Sequence, residues 1–600
     1  MNTLIFDIET DGLLDELTTV HCIGIVTEGK DDYEVYGPGR SSIAMALKRL
    51  ALADRLVGHN IQGFDLPAIK KLWPEFRHNA QVIDTLVLSR VMNSNISHED
   101  GERTPEIPPQ MCGRHSLESW GYRFGILKGE FGKTTDWKHW TPEMSAYCKR
   151  DLEITKILWS RLSAVDPAAS STEHEFAWIL ENQVKQGFSF DVDKAISLYA
   201  ELVQSREEID QRLRTIFPPA KVKMKTPQYW KNPSSGNHYR IKSEAPHSER
   251  ALLVKGPLKV KEIPFNPGSR TQIANAFIDK YGWEPQSFTP DGRPKVDETV
   301  LSSLDYPEAE VLTEYLTIQK RLGQLAEGRG AWLKCEKGGK IHGRINHNGT
   351  ATHRCTHSAP NLGQVPSVHS PYGEECRSLF KASDGYTLLG IDASQLEIRV
   401  LGHYLNDEEY IKEIVDGDIH TKNQQAAGLK TRQQAKVFFY AWLYGSGPAK
   451  LGQIAGAGAS EGRRLKNRFL NAIPSLKKFV NAVHAKYKSA GVLRGLDGRP
   501  IPIRSEHRSV NALIQAGGAV AVKTWTCAMH RAFRRRGWTT DDVRQVAHVH
   551  DEIQLEVRPE IAEEVGVAAV YALRAVKDLL NMRCPLDGEY RIGNTWAETH

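Results

Sequence analysis

At 600 residues, 40% of them apolar and 25% charged, the chain is too long for one core and ordinary in composition, so several globular domains are expected. No apolar run is long enough to span a bilayer, and MNTLIFDIET enters a strand-like run without a basic leader, so neither a membrane span nor a signal peptide is expected. A net charge of +5 permits a nucleic-acid partner. Cys22, Cys112, Cys148, Cys335, Cys355, Cys376, Cys527 and Cys584 include no CxxC pair, which argues against a zinc site or disulfide framework and fits a reducing cytoplasm.

Residues 1 to about 165 read as an α/β unit, with strand-like TLIFDI, VHCIGIV, LVGHN and AQVIDTLVL and helical patterns between them. The polar stretch 91–115 reads as a loop. From Glu173 the pattern turns helical, through EFAWILENQV and DKAISLYAELVQSREEIDQRL. Pro218 to Pro264 breaks that pattern with prolines and many Lys and Arg, as an insertion would. Helices resume at Arg270–Lys280 and Ala309–Ala326, and strands alternate with helices after Gly338. No internal repeat is present.

Asp7 and Glu9 lie two apart in a strand, so they share a face. Asp65 follows in HNIQGFD and Asp151 in YCKRD. Converging carboxylates repel one another unless divalent cations neutralise them, and two such ions about 4 Å apart are what phosphodiester cleavage uses. Tyr147, one turn before Asp151, can orient an attacking water, and Asn60 can hydrogen-bond a bound strand. Asp84 in VIDTLVL is better read as a cap or a buried hydrogen-bonded carboxylate.

A second acidic set begins where the run YTLLGI stops at Asp392. Ser394-Gln-Leu-Glu397 then opens an amphipathic helix, and two readings stand: a capping box, or Glu397 beside the sugar of a nucleotide. VAHVHDEIQLEV reads as a hairpin with Asp551-Glu552 at its tip, an unfavoured turn that hints at function. Between the acids, Thr431-Arg-Gln-Gln434 has capping-box form, and Arg432, Lys436, Tyr440 and Tyr444 follow at steps of four on one helical stripe. Arg432 and Lys436 near a helix N-terminus suit a triphosphate, and the tyrosines suit a sugar and a base. The plainer reading is a basic face with core tyrosines.

The first set resembles the DEDD proofreading exonucleases with Tyr before the last Asp. GIDASQLEIRVL, RQQAKVFFYAWLYGSG and VHDEIQ resemble motifs A, B and C of the pol I-like, family A DNA polymerases. GDIHTKNQ, GQIAGAG, GLDGRPIPIRS, FNPGSR, YLTIQKRLGQLAEG and NTWAETH are similar to the replicative enzymes of T-odd podovirus-type phages. The resemblance implies a multidomain α/β fold: an RNase H-like 3′→5′ exonuclease at 1–165, then a right hand. Its thumb would be 166–335, with a basic insertion at about 217–262; its palm 336–410 and 491–600; its fingers 411–490.

The same resemblance implies DNA synthesis from dNTPs with proofreading, using two Mg2+ per active site with Mn2+ as a substitute. Asp392, Asp551 and the Ala393 carbonyl would bind metal at one site, and Asp7, Glu9, Asp65 and Asp151 at the other. His420, Arg432 and Lys436 would hold the triphosphate. Glu397, with Tyr440 packed against it, would exclude a 2′-hydroxyl, and Tyr444 would stack near the templating base. His550 would approach the primer end, while Arg354, Asn361, Gln364 and Gln515 would touch the minor groove of primer–template DNA. His353 stands where the family usually has Gly.

In the resembling phage enzymes the insertion docks host thioredoxin. Here it is shorter, and it reads either as a site for thioredoxin or another processivity factor, or as a solvated loop touching phosphates. A replisome helicase–primase is the further partner implied, in a bacterial host cytoplasm. The rival readings are a binding protein without chemistry, opposed by the intact acids, and a ribonucleotide-using relative, opposed by Glu397 with Tyr440.

Overall fold

The computed structural model describes residues 1–102 and 106–600. Two compact units divide the chain: one holds Met1–Phe190, Lys337–Val365 and Phe380–His600, the other Asp191–Glu336 and Pro366–Leu379. Among the described residues no helix is long and apolar enough to cross a membrane.

Two sheets organise the first unit. The N-terminal one has five strands in the order Tyr33–Tyr36, Val20–Thr27, Thr3–Thr10, Arg55–Gly58, Gln81–Asp84. Its central strand, Thr3–Thr10, pairs antiparallel with Val20–Thr27 and parallel with Arg55–Gly58. That strand is buried at every position because both faces are covered. Leu4, Phe6 and Ile8 pack with Ile43, Leu47 and Ile69 on one side. Ile5 packs with Leu152 and Leu158 of helix Pro142–Leu162 on the other. Period-two geometry therefore turns Asp7 and Glu9 toward that helix.

The second sheet has four antiparallel strands in the order Val543–Val549, Glu552–Val557, Thr387–Ala393, Gly588–Gly593. Helices Ser509–Arg535 and Ala562–Leu579 share its core, where Leu389, Ile391, Ile553 and Leu555 meet Trp525, Val565 and Leu573.

Helix Pro167–Gln186 is tied to the N-terminal sheet and to helix Ser509–Arg535 through adjacent residues. Asp84 donates its backbone N–H to His174 Nε2 at 2.7 Å, and His174 Nδ1 donates to the Ser170 carbonyl. Glu173 is fully buried and accepts from Arg499, from Lys523 Nζ at 2.6 Å and from His347 Nδ1 at 2.7 Å. Arg499 also pairs with Asp497. Two carboxylates thus face two cations, and burial holds His347 near 4 and neutral. The surrounding charges keep the Glu173 carboxyl well below the usual range despite its burial.

The second unit contains helices Val192–Ile216, Arg270–Tyr281 and Pro307–Leu322, with Phe217, Phe265, Phe277 and Trp283 in its core. The expected insertion contains two small sheets. Ala220–Pro227 pairs antiparallel with Leu258–Ile263, and three short strands form a second small sheet. Lysines alternate with Val222, Met224 and Val260, which are 45%, 41% and 50% exposed. The stretch 91–115 also departs from a loop: Ile96–Glu102 is helical, because buried Asp100 pairs with Arg123 and accepts the Gly113 N–H. Residues 103–105 of that stretch lie outside the described residues.

Removing the acid from the Glu173 cluster leaves two buried cations short of a partner. Glu173→Ala is expected to lower stability by about 3–5 kcal/mol, against about 1–3 kcal/mol for His347→Ala, which removes a neutral partner. Urea denaturation of both variants checks the ranking.

Candidate active sites

The first acidic cluster forms where helix Pro142–Leu162 crosses the end of strand Thr3–Thr10. Asp7 and Glu9 face the helix, which supplies Asp151 and, one turn before it, Tyr147. Asp65 opens helix Asp65–Leu72, and its Oδ1 accepts the Ile8 N–H at 3.2 Å. All four expected carboxylates are therefore brought together. Burial, then repulsion within the cluster, drives Asp7 and Glu9 well above the usual carboxyl range, and burial followed by the charge of Asp84 lifts Asp65 to about 8. Asp151 is raised by burial although Lys128 Nζ lies 2.6 Å from its Oδ2.

Lys128, which no sequence pattern singled out, also sits 4.5 Å above the Tyr147 ring. Glu9 Oε1 and Asp151 Oδ1 are buried without a hydrogen-bond partner. Four crowded carboxylates with orphaned oxygens and one cation match what hard divalent ions need from a protein. Asn60 is exposed at the rim, with φ of 65°. Asp84 is a buried cap, as expected: its carboxylate accepts the backbone N–H groups of Asn60, Gln62 and Leu86 at 2.8–3.0 Å.

The second cluster follows from strand register. Asp392 pairs with Glu552 across the sheet, and the Ala393 N–H donates to the Asp551 carbonyl at 3.1 Å. Asp392 and Asp551 are thereby neighbours. Burial, then the charge of Asp392, lifts Asp551 to about 7, and burial followed by Glu552 raises Asp392. The hairpin tip differs from expectation by one residue. His550, at φ 58°, and Asp551 make the turn, while Glu552 belongs to the strand. Glu552 accepts from Gln554 and Trp596 and faces His600, so it is a buried structural acid.

The capping-box reading of Ser394 and Glu397 fails. Helix Leu396–Leu405 starts from Gln395 in the left-handed region, with no side-chain cap. Glu397 Oε1 instead accepts from Arg354 Nη2 at 2.7 Å and lies 3.5 Å from the Tyr444 hydroxyl. The Tyr444 hydroxyl is thus the aromatic hydroxyl that reaches Glu397, and Glu397 also acts electrostatically on Tyr440. Arg354, Glu397, Lys523, His550 and Asp551 line one cavity.

Helix Arg432–Leu443 is capped by Thr431, whose hydroxyl accepts the Gln434 N–H. Tyr440 and Tyr444 are near-parallel, with ring centroids 6.1 Å apart. Burial, then Glu397, pushes both phenols up to about 12. His420 is buried with Nδ1 lacking a partner, and its ring is 6.0 Å from Tyr440. Lys436 is exposed. Arg432 forms a two-pronged pair with Asp418 at 2.6 and 3.0 Å, which holds Asp418 well below the usual carboxyl range. Asp418 also caps helix Ile419–Ala427.

The remaining candidates lie around the hairpin Arg344–Asn346 with Thr356–Ser358. Gln515, on helix Ser509–Arg535, accepts from the Thr352 hydroxyl at 3.3 Å. His357 Nε2 donates to the His548 carbonyl, which ties the hairpin to the second sheet. Asn361 precedes the 3-10 turn Leu362–Gln364. His353 has φ of 62° and is fully buried, with Nε2 donating to the Pro500 carbonyl at 2.7 Å.

Comparison with known proteins identifies the family. The DNA polymerase family A profile matches residues 245–598, and the RNase H superfamily profile matches residues 4–100. The chain is 35% identical to the DNA-directed DNA polymerase of Enterobacteria phage T3, over the full length of both chains. It is equally similar to that of Escherichia phage T7, at 35% over both full lengths. The thermostable DNA polymerase I of Thermus aquaticus is 27% identical over 58% of this chain and 44% of its own. Among solved structures, the POL domain of Pol1 from M. smegmatis, in complex with DNA primer-template and dNTP, superposes with a TM-score of 0.74. That match has 16% identity and covers 99% of this chain and 96% of the other, which bears on fold alone. The profile match and the full-length identity place the chain in DNA polymerase family A, with an RNase H-like domain at its N-terminus.

Proposed function

We propose that the cluster of Asp392 and Asp551 extends a primer on a DNA template and that the cluster of Asp7, Glu9, Asp65 and Asp151 trims the same strand from its 3′ end. One observation carries the reading: two separate sets of acids, the first buried and the second partly open to solvent, are each held close together against their own repulsion. Residues 1–165 would be the trimming domain, 166–335 the thumb, 336–410 and 491–600 the palm, and 411–490 the fingers.

Asp392, the Ala393 carbonyl and Asp551 would hold one pair of Mg2+ ions, and the four N-terminal acids a second pair, with Mn2+ able to substitute. Such ions, when bound, stabilise charge on phosphoryl oxygens and lower the pKa of water. The chain's own groups supply the rest. His420, Lys436 and Arg432 offer donors to a triphosphate, Arg432 exchanging its Asp418 partner for phosphate oxygens. Glu397, held by Arg354 and Tyr444, closes the sugar site to a 2′-hydroxyl, with Tyr440 packed beside it. Tyr444 offers a face to the templating base. Arg354, Asn361, Gln364 and Gln515 read minor-groove acceptors common to correct pairs, and His550 approaches the primer end. In the trimming site Tyr147 orients water, and Asn60 holds the frayed strand.

For the basic ribbon at 217–262 we infer a protein partner, thioredoxin or another processivity factor. The half-exposed Val222, Met224 and Val260 favour this over phosphate contact alone. A helicase–primase supplying template and primers is the replisome partner this chemistry calls for, in the host cytoplasm where dNTPs are held.

Asp551→Ala is expected to lose primer extension by on the order of 10³-fold or more while still degrading primers, and Asp7→Ala to show the reverse. Loss of both activities in either variant would collapse the two sites into one. Extension-product length should rise when thioredoxin is added and should not rise after deletion of 220–262; no change with the intact chain would remove that partner.

A pH dependence follows from Asp551. Its folded carboxyl is raised to about 7, so ionisation costs the folded state stability that is intact below about pH 4 and is lost as pH rises toward 7. In metal-free buffer Asp551→Asn should therefore be more stable than the parent chain at pH 8, by on the order of 2–4 kcal/mol, and no more stable at pH 4. Adding Mg2+ should stabilise the parent selectively. Urea midpoints at the two pH values check both statements.

A further inference from the structure

Helix Pro142–Leu162 brings a second kind of ligand to the first acidic cluster. Cys148 lies three residues before Asp151, on the same helical face. It is fully buried, and its thiol donates to the Asp7 carbonyl at 3.8 Å. A β-carbon placed on Gly24, the strand partner of Asp7, would come within 2.6 Å of that sulphur. Only glycine at 24 leaves room for the sulphur to lie against the strand pair.

One carboxylate oxygen from Asp7, one from Glu9 and the Cys148 sulphur all lie within 4.8 Å of one another. Among the described residues no other group of three His, Cys, Asp or Glu ligand atoms comes so close. Independently, Glu9 is 7% exposed, and its buried Oε1 has no hydrogen-bond partner. That oxygen therefore has coordination capacity left over.

Carboxylates alone suit hard ions such as Mg2+. A thiolate changes the preference, because sulphur donors select softer cations. Two oxygens and one sulphur with a fourth position open is a coordination set that Zn2+ accepts, with bonds of about 2.0–2.3 Å. Closing the three atoms onto one ion needs shifts of roughly 1 Å or less, given those bond lengths.

We propose that Asp7, Glu9 and Cys148 form a three-ligand site for a thiophilic divalent cation of the zinc class, inside the centre assigned above to 3′-end trimming. Binding replaces the Cys148 S–H bond with a sulphur–metal bond and releases one proton to solvent. No redox change is involved. Trimming by this chain then responds to thiophilic ions through the Cys148 sulphur. The inference rests on the trimming assignment for its consequence, but not for its detection.

The test titrates Cd2+ into the metal-free full-length chain, whose eight cysteines are all free, and reads the ultraviolet thiolate-to-cadmium charge-transfer band. The parent chain should show one equivalent of band that Cys148→Ser and Cys148→Ala both lose. Glu9→Gln should bind at least about tenfold more weakly. Cys22→Ser, which alters the thiol beside Cys148, should keep the band. The inference is overturned if both Cys148 variants retain the full band, if Glu9→Gln leaves it unchanged, or if only Cys22→Ser abolishes it. Primer extension by each variant shows that it has folded. Because the band is read without cleavage, its absence is distinct from a finding that Asp7→Ala still trims primers.

Discussion

The hydrogen-bonded register between Thr387–Ala393 and Glu552–Val557 is the constraint on which the polymerase half depends. It pairs Asp392 with Glu552 and leaves the Asp551 carbonyl to accept from Ala393, so two acids are fixed as neighbours by backbone geometry. A slip of one residue would turn Asp392 to the other face of the sheet. Burial first, and then the charge of neighbouring acids, opposes ionisation of both carboxyls and displaces them upward. The backbone pairing and the apolar core beneath it outweigh that cost, because a strand buried between helices has no alternative register that keeps its core face covered.

The N-terminal sheet solves the same problem by another route. There, alternation along one strand turns Asp7 and Glu9 to one face, and a helix brings Asp151 to them. Lys128 is a nearby cation that moderates the cluster, and it pairs with one member, Asp151. Helix Pro167–Gln186 then joins this sheet to helix Ser509–Arg535 through His174 and Glu173, neighbours in sequence. Burying Glu173 is tolerable because its partners supply balancing charge and hydrogen bonds to both carboxylate oxygens.

Much of both sites was legible because the signals were local. Strand alternation carried Asp7 and Glu9, a step of four carried the Arg432 to Tyr444 stripe, and Asp84 read correctly as a cap. The failures share a cause in tertiary override of local pattern. Ser394 and Glu397 have capping-box spacing, yet Gln395 enters the left-handed region and the Ser394 N–H bonds to the Asp587 carbonyl instead. The turn at His550–Asp551 was displaced by one residue because Glu552 is drawn into the strand by Trp596 and Gln554. Asp418 and Lys128 were invisible because an ion pair between residues 14 or 23 apart leaves no periodic trace. The ribbon of 220–227 and 258–263 did carry a period-two signal in KVKMK and KVKEI, which the surrounding prolines masked.

His353 shows how a departure from a family pattern can preserve the geometry that pattern serves. A glycine before Arg354 would enter the left-handed region without steric cost; histidine there pays about 1–2 kcal/mol. The backbone nonetheless keeps φ at 62°. The ring compensates by burying itself and donating to the Pro500 carbonyl, with Asn348 Oδ1 3.1 Å from its other nitrogen. Burial, then Arg499 and Lys523, holds the imidazole down to about 3, so it adds no third cation to the Glu173 cluster beside it. The His353 side chain is a strut between the hairpin loop carrying Arg354 and the strand Pro500–Pro502. Arg354, which follows His353 directly, is thereby held toward Glu397 by a backbone that packing around the imidazole fixes.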